Sequence, residues 1–276
     1  MRRCTVLGLI FTLQLLFTGC EERFDVDLRA AEPRVVIEAN LTDLSPEQHI
    51  RVSRTVAFNE ARSDEGIADA EVFVEDDRGQ MYAFVHESDG RYRAARDFTP
   101  VVGRQYKLYV FVDDQTYTAQ TYMPAFVEPD STGIARENIF GEYYYFATFK
   151  FNDPKDVPNY YRYDIAVNGG QAHFANVFQD KFNDGLYVTH QLADLDADLR
   201  IGDQLVVIRY SIDEQVFAYW NSYQSTNPGS AAPANPNSNI SNGALGYFSV
   251  APAKHYTMQL VDMDVQMNRG EGGSAF

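Results

Sequence analysis

Residues 105–121 read Gln105-Tyr106-Lys107-Leu108-Tyr109-Val110-Phe111-Val112-Asp113-Asp114-Gln115-Thr116-Tyr117-Thr118-Ala119-Gln120-Thr121. Tyr106, Leu108, Val110 and Val112 fall on alternate positions, and so do Tyr117, Ala119 and Thr121. Side chains of a strand point to opposite faces with a period of two, so each run offers one apolar face. Asp113-Asp114 sits between them, and aspartate tolerates the left-handed dihedrals of a tight hairpin. The stretch is an antiparallel hairpin.

The same pattern extends towards the N-terminus. Val35, Ile37, Ala39 and Leu41 share a face, then Ile50, Val52, Val56 and Phe58, then Ala70, Val72 and Val74. Met81 to His86 and Arg91 to Ala95 are two more strands, joined through Ser88-Asp89-Gly90. Seven short strands with frequent turn signals and no helix between them predict an antiparallel sandwich over 33–124, immunoglobulin-like or transthyretin-like. Gly103-x-x-Tyr106-x-Leu108 resembles a strand of transthyretin-like and carboxypeptidase-regulatory-like domains, which makes Tyr106 a structural residue.

Residues 125–138 carry Pro129 and Gly133 and no sustained alternation, so they read as a junction. A second β-rich domain is expected over 139–267. Its strands are Glu142 to Phe151, Tyr160 to Val167 and Asp203 to Ser211, with Gly243 to Val250 and His255 to Val261 closing it. Asp213 to Gln224 is the one helix candidate, with Val216, Phe217, Trp220 and Tyr223 on one face and Ser211 or Asp213 as cap. Asn227 to Asn239, with three prolines, is a long loop, and 268–276 is a Gly-rich tail.

Outward from the fold, the N-terminus gives an address. Arg2-Arg3 precede a mostly apolar run from Thr5 to Phe17, and Thr18-Gly19-Cys20 follows. This pattern predicts a lipoprotein signal over 1–19, cleavage after Gly19, and lipid attachment at Cys20. The 13-residue run is short for a membrane span, which needs about 20 residues. An ordinary secretory signal is the other reading, since Phe17 stands where leucine is usual. Residues 20–32 would then be a tether, long enough on the order of 40 Å to clear headgroups. Glu21-Glu22 directly after the cysteine resembles a surface-export signal, or is simply polar linker.

Cleavage would remove Cys4 and leave Cys20 to the lipid, so no thiol remains for a disulfide or a metal. It would also take the formal charge from −16 to −18. Such a chain is repelled by nucleic acid, which excludes that partner class.

Motifs for chemistry are scarce. Asp194-x-Asp196-x-Asp198 begins like a calcium loop, but Leu199 and Leu205 stand where glycine and glutamate are needed. Asp180-x-x-Asn183-Asp184-Gly185 reads as a turn with a possible cation affinity. The five histidines are scattered, and no G-x-S-x-G is present. No catalytic residue, cofactor or metal is expected, and Cys20 is the only expected site residue.

Several stretches carry a family likeness. Asp153-Pro154 with Asn159-Tyr160-Tyr161-Arg162-Tyr163 looks like the D-P…N-Y-Y-R element of an uncharacterised bacterial cell-envelope lipoprotein family. Phe178 to Gly185 is similar to its D-x-x-F-x-x-G turn. Ser238-Asn239-Ile240 through Gly246-Tyr247-Phe248 resembles its closing motif. The family is that of domain of unknown function 4249. The resemblance implies an outer-membrane, lipid-anchored protein, often encoded near TonB-dependent receptors, and supplies no catalytic residues. The expected role is an accessory interaction protein for such a receptor, with the loop at Asn227 to Asn239 as contact. Alternatives are a carbohydrate- or peptide-binding surface lipoprotein and, behind that, a hydrolase with an unrecognised site.

Overall fold

A computed structural model of the chain describes residues 32–56, 64–193, 199–225 and 235–261. Cys20, nearly all of the 20–32 tether, Phe58, the Asp194–Asp198 run, most of the Asn227–Asn239 loop and the 268–276 tail lie outside the described residues. Among the described residues the strands in chain order are β1 (Val35–Thr42), β2 (His49–Thr55), β3 (Asp64–Gly66), β4 (Glu71–Asp76), β5 (Met81–Ser88), β6 (Arg91–Ala94), β7 (Gln105–Val112) and β8 (Gln115–Tyr122). There follow β9 (Ser131–Ile139), β10 (Glu142–Asn152), β11 (Tyr160–Val167), β12 (His173–Gln179), β13 (Tyr187–Leu192), β14 (Gln204–Ile212), the helix α1 (Glu214–Ser225), β15 (Leu245–Ala251) and β16 (Ala253–Gln259). The chain is mostly β.

The first sheet has the order β15-β1-β2-β6-β5-β4-β7-β8, with β3 paired to β2. Its apolar faces turn inward onto one core, from Ile37 and Leu41 on β1 round to Leu108 and Val110 on β7. The β7–β8 hairpin closes at Asp113-Asp114 with both φ positive, 48° and 60°, as its sequence implies. Tyr106 is buried, and its hydroxyl accepts the Val101 N–H at 2.7 Å, a structural tie. Buried Tyr92 does the same for another corner, donating to Ile67 O and accepting from Ala70 N.

The surprise is β15. It pairs parallel to β1 from Val36↔Leu245 to Thr42↔Ala251, so a strand expected to close the second domain completes the first sheet. Gly246 makes the approach possible: its φ is 88°, and a Cβ there would lie 2.0 Å from Ile37 O. The Asn239 side chain exchanges two hydrogen bonds with the backbone of Phe248 and so stands in for a missing strand neighbour. The segment before β15 also seals the far edge. Ser241 N donates to Thr118 O, Thr118 N donates to Ser241 Oγ, and Asn242 Nδ2 donates to Thr116 O.

The second core lies between a three-stranded sheet, β13-β10-β9, and a four-stranded sheet, β12-β11-β14-β16. Phe149 and Phe151 of β10 face Tyr161 and Tyr163 of β11 across it. The other face of the four-stranded sheet is covered too, by α1 and by Tyr247 of β15. Strand β15 is therefore buried on both faces, as parallel strands require.

Two expectations change here. The 33–124 and 139–267 segments are joined by β15, and the described residues from Pro33 onward form one unit. The 125–138 junction is in large part strand β9, an edge strand with Ile134 half-buried against the second core and its ends exposed, which is why it shows no sustained alternation. Asp213 does cap α1: its Oδ1 accepts Val216 N at 2.8 Å, while Oδ2 accepts Thr121 Oγ1 and Tyr122 N from the first sheet.

Candidate functional site

Two arginines are buried on the opposite faces of the four-stranded sheet. On β14, Leu205, Val207 and Arg209 point into the second core, and Arg209 is fully buried there. Its guanidinium lies 4.6 Å from the Phe151 ring centre and 4.7 Å from that of Tyr161. Nε donates to Tyr163 Oη at 2.9 Å, and Nη1 donates to Val127 O. Tyr163 Oη lies 2.9 Å from Nδ1 of buried His190, which stacks on Phe178 at 4.0 Å. With Arg209 donating to the Tyr163 oxygen, the hydroxyl hydrogen serves Nδ1, which makes His190 a neutral acceptor. Burial first, and the Arg209 charge second, hold the imidazole down to about 3. A histidine held neutral through the physiological range is a packing residue.

On the other face Arg162 forks onto Asp164, Nε to Oδ1 at 3.0 Å and Nη2 to Oδ2 at 2.7 Å. Nη1 donates to Tyr247 Oη, Tyr210 Oη donates to Asp164, and the guanidinium sits 4.1 Å from the Trp220 ring centre. Burial and the Asp164 charge both push the Tyr210 phenol up. The pair joins β11, β14, β15 and α1, and this cross-bracing explains the N-Y-Y-R element better than chemistry does.

An open groove of about 490 Å³ runs along the outer face of β1 and β2. Glu38, Asn40, His49, Arg51, Arg91 and Tyr247 line it. Arg51 is held by Asp64 and, at 3.4 Å, by Asp89. Asn40 Oδ1 is buried without a hydrogen-bond partner.

The three-stranded sheet presents a different surface. Strands β9 and β10 meet at a two-residue turn, Phe140-Gly141, flanked by the pair Ile139↔Glu142. Both turn residues have positive φ, 53° and 92°. Such a turn favours asparagine, aspartate or glycine at its first position, yet phenylalanine occupies it and is wholly exposed. Tyr143 and Tyr144 beside it are 58% and 45% exposed. Arg136 lies 4.5 Å from the Tyr143 ring centre.

A third feature was half legible in the sequence. Asp153 follows β10, Asp180 follows β12, and Asp184 lies in the next turn. One carboxylate oxygen from each lies within 4.8 Å of the others. Sequence reading took Asp180 to Gly185 as a turn and Asp153-Pro154 as family likeness. Only the fold joins them.

No curated protein matches the sequence. A two-domain fibronectin type-III segment of chicken tenascin shares 16% identity over 66% of this chain and 91% of its own, at a TM-score of 0.20. A pullulanase from Anoxybacillus sp. LM18-11 shares 14% over 63% of this chain and 24% of its own, at 0.21. Its maltotriose complex gives 13%, 66%, 25% and 0.21. Scores this low carry no argument about fold or function. Residues 21–257 match the family described as a domain of unknown function, DUF4249, and the chain belongs to that family.

Proposed function

We propose that this protein is a lipid-anchored envelope lipoprotein that acts by binding another protein, a TonB-dependent outer-membrane receptor. It carries out no turnover. The observation that carries the reading is Phe140. A bulky residue in the left-handed region costs about 1–2 kcal/mol, and exposing its ring recovers nothing by burial. Folding gains nothing from it, whereas a partner gains an aromatic anchor flanked by Tyr143 and Tyr144. The lipobox at Cys20 and the genomic habit implied by the family resemblance supply the membrane address and the class of partner. The hairpin tip replaces the Asn227–Asn239 loop as the favoured contact.

The test is co-purification of the receptor with the tagged chain from detergent-solubilised outer membranes. Phe140→Asn relaxes the turn, so it folds at least as well, and with Tyr143→Ser it is expected to weaken capture ten-fold or more. Full capture by the double variant removes the hairpin from the contact, and failure of the wild type to bring a receptor down removes the partner. Metabolic labelling with a fatty-acid analogue tests the anchor: Cys20→Ala is expected to lose all label. A second reading, a peptide or sugar ligand in the groove beside β1, is favoured by the unpartnered Asn40 Oδ1.

A further inference from the structure

We propose that Asp153, Asp180 and Asp184 form a binding site for a divalent cation of the calcium class. The cluster is assembled by two connections, 153–159 and 180–186, at one end of the second core. Each carboxylate is held by a protein donor through one oxygen. Tyr161 Oη donates to Asp153 Oδ1 at 2.8 Å, Asn159 N to Asp180 Oδ2 at 2.8 Å, and Asp156 N to Asp184 Oδ1 at 2.7 Å.

Those bonds fix orientation but do not explain the remaining charge. Asp153 is 5% exposed, and its Oδ2 is buried with no hydrogen-bond partner. A buried carboxylate oxygen left unpaired is costly, and two further carboxylates beside it raise that cost. The neighbouring cation, Lys155, places its ammonium 4.0 Å from Asp156. A metal ion in the cluster supplies what the protein does not.

The dimensions select among ions. Three ligands of one ion can all stand apart from one another by at most √3 times the metal–oxygen distance. For calcium, with bonds of about 2.3–2.6 Å, that limit is about 4.0–4.5 Å, and for magnesium, at about 2.0–2.1 Å, it is about 3.5–3.6 Å. Oxygens spread within 4.8 Å of one another lie nearer the larger ion's limit, and a small inward shift closes them onto it. Calcium also takes its other ligands from backbone carbonyls and water, which an exposed Asp184 at the rim allows. Gly185 permits the close packing of the two connections, since a Cβ there would lie 2.9 Å from Lys155 Cγ.

The experiment uses the purified full chain, stripped with a chelator, and two probes. Calcium chloride at 1 mM is expected to raise Tm by several degrees, and magnesium at the same concentration by much less. Terbium, a luminescent stand-in for calcium, is expected to emit when tyrosine is excited, because Tyr161 is bonded to Asp153, and calcium should displace it. Asp184→Asn alters only an exposed residue, so the metal-free Tm should stay within a degree or two while calcium affinity falls ten-fold or more. Absence of both the calcium shift and the terbium signal in the wild type overturns the proposal. So does a response that persists undiminished in Asp184→Asn. Either outcome leaves receptor capture, a separate readout at the other end of β10, untouched.

Discussion

His190→Asn should flatten the acid limb of the stability curve by an amount set by burial. The imidazole is neutral in the folded chain, with its pKa lowered to about 3 by desolvation and by Arg209. In the unfolded chain it returns to about 6.5. Between those values the unfolded state binds a proton that the native state refuses, so stability rises with pH across this window and is lost as pH falls through 6.5. At pH 4.5 the gap is two pH units, or about 2.7 kcal/mol at 1.36 kcal/mol per unit. Because His190 is 5% exposed, solvent screening removes little of this.

Asparagine retains an acceptor near Nδ1 for the Tyr163 hydroxyl but does not titrate. It loses the stack on Phe178, so at pH 7.5 the variant should be less stable by roughly 1–3 kcal/mol. Urea unfolding of both proteins at pH 7.5 and 4.5 gives four free energies. The gap between wild type and variant should shrink by about 2.7 kcal/mol on acidification, or change sign. Asp153, whose raised affinity for a proton acts in the opposite direction, is common to both and cancels. Parallel losses in the two proteins would refute the assignment of a neutral, buried His190.

Other substitutions probe the joints of the fold. Gly246→Ala places a Cβ 2.0 Å from Ile37 O and should cost more than about 4 kcal/mol, read as loss of the native thermal transition. Arg162→Met strands the buried Asp164 charge and should cost about 3–5 kcal/mol in urea unfolding, most of it recovered by adding Asp164→Leu. Asp213→Ala removes a helix cap together with the tie to Thr121 and should cost about 1–2 kcal/mol. A fragment of residues 33–124 lacks β15 and should show no cooperative melt by circular dichroism, whereas a sharp transition would mean that β15 is dispensable.

The parts legible in the sequence are those whose partner is close along the chain. The β7–β8 hairpin, its Asp113-Asp114 turn and the buried Tyr106 all follow from alternation and turn chemistry within 20 residues or so. Strand β15 is different. The strand itself is expected from Gly243 to Val250, but its burial on both faces leaves no period of two to say which sheet it joins, and its partner β1 lies at the other end of the chain. Strands β9 and β12 show no alternation for opposite reasons: β9 is an edge strand largely open to solvent, and β12 packs Ala175 and Phe178 against one core and Phe174 and Val177 against the other. Helix α1 was placed within a residue at each end, yet it buries Tyr219 and leaves Tyr223 exposed, since it packs against β12 and β11 on one side and β15 on another. The acidic cluster draws on two connections some 30 residues apart, and no spacing rule spans that gap. Phe140 carries a readable signal, a bulky residue before a glycine at a hairpin tip, but the first strand of that hairpin falls mostly in the stretch 125–138, which reads as a junction.

The parallel pairing of β1 with β15 sets a timetable. The two strands are roughly 200 residues apart, so the edge of β1 stays open while everything between is synthesised. At about 5–20 residues per second that wait lasts roughly 10–40 s. Throughout it, β1 and β8 offer unpaired backbone to any neighbouring chain, the condition under which nascent β proteins aggregate. Closing so long a loop is also slow once synthesis ends. Truncation anywhere before residue 251 should therefore yield an aggregate rather than a smaller folded protein.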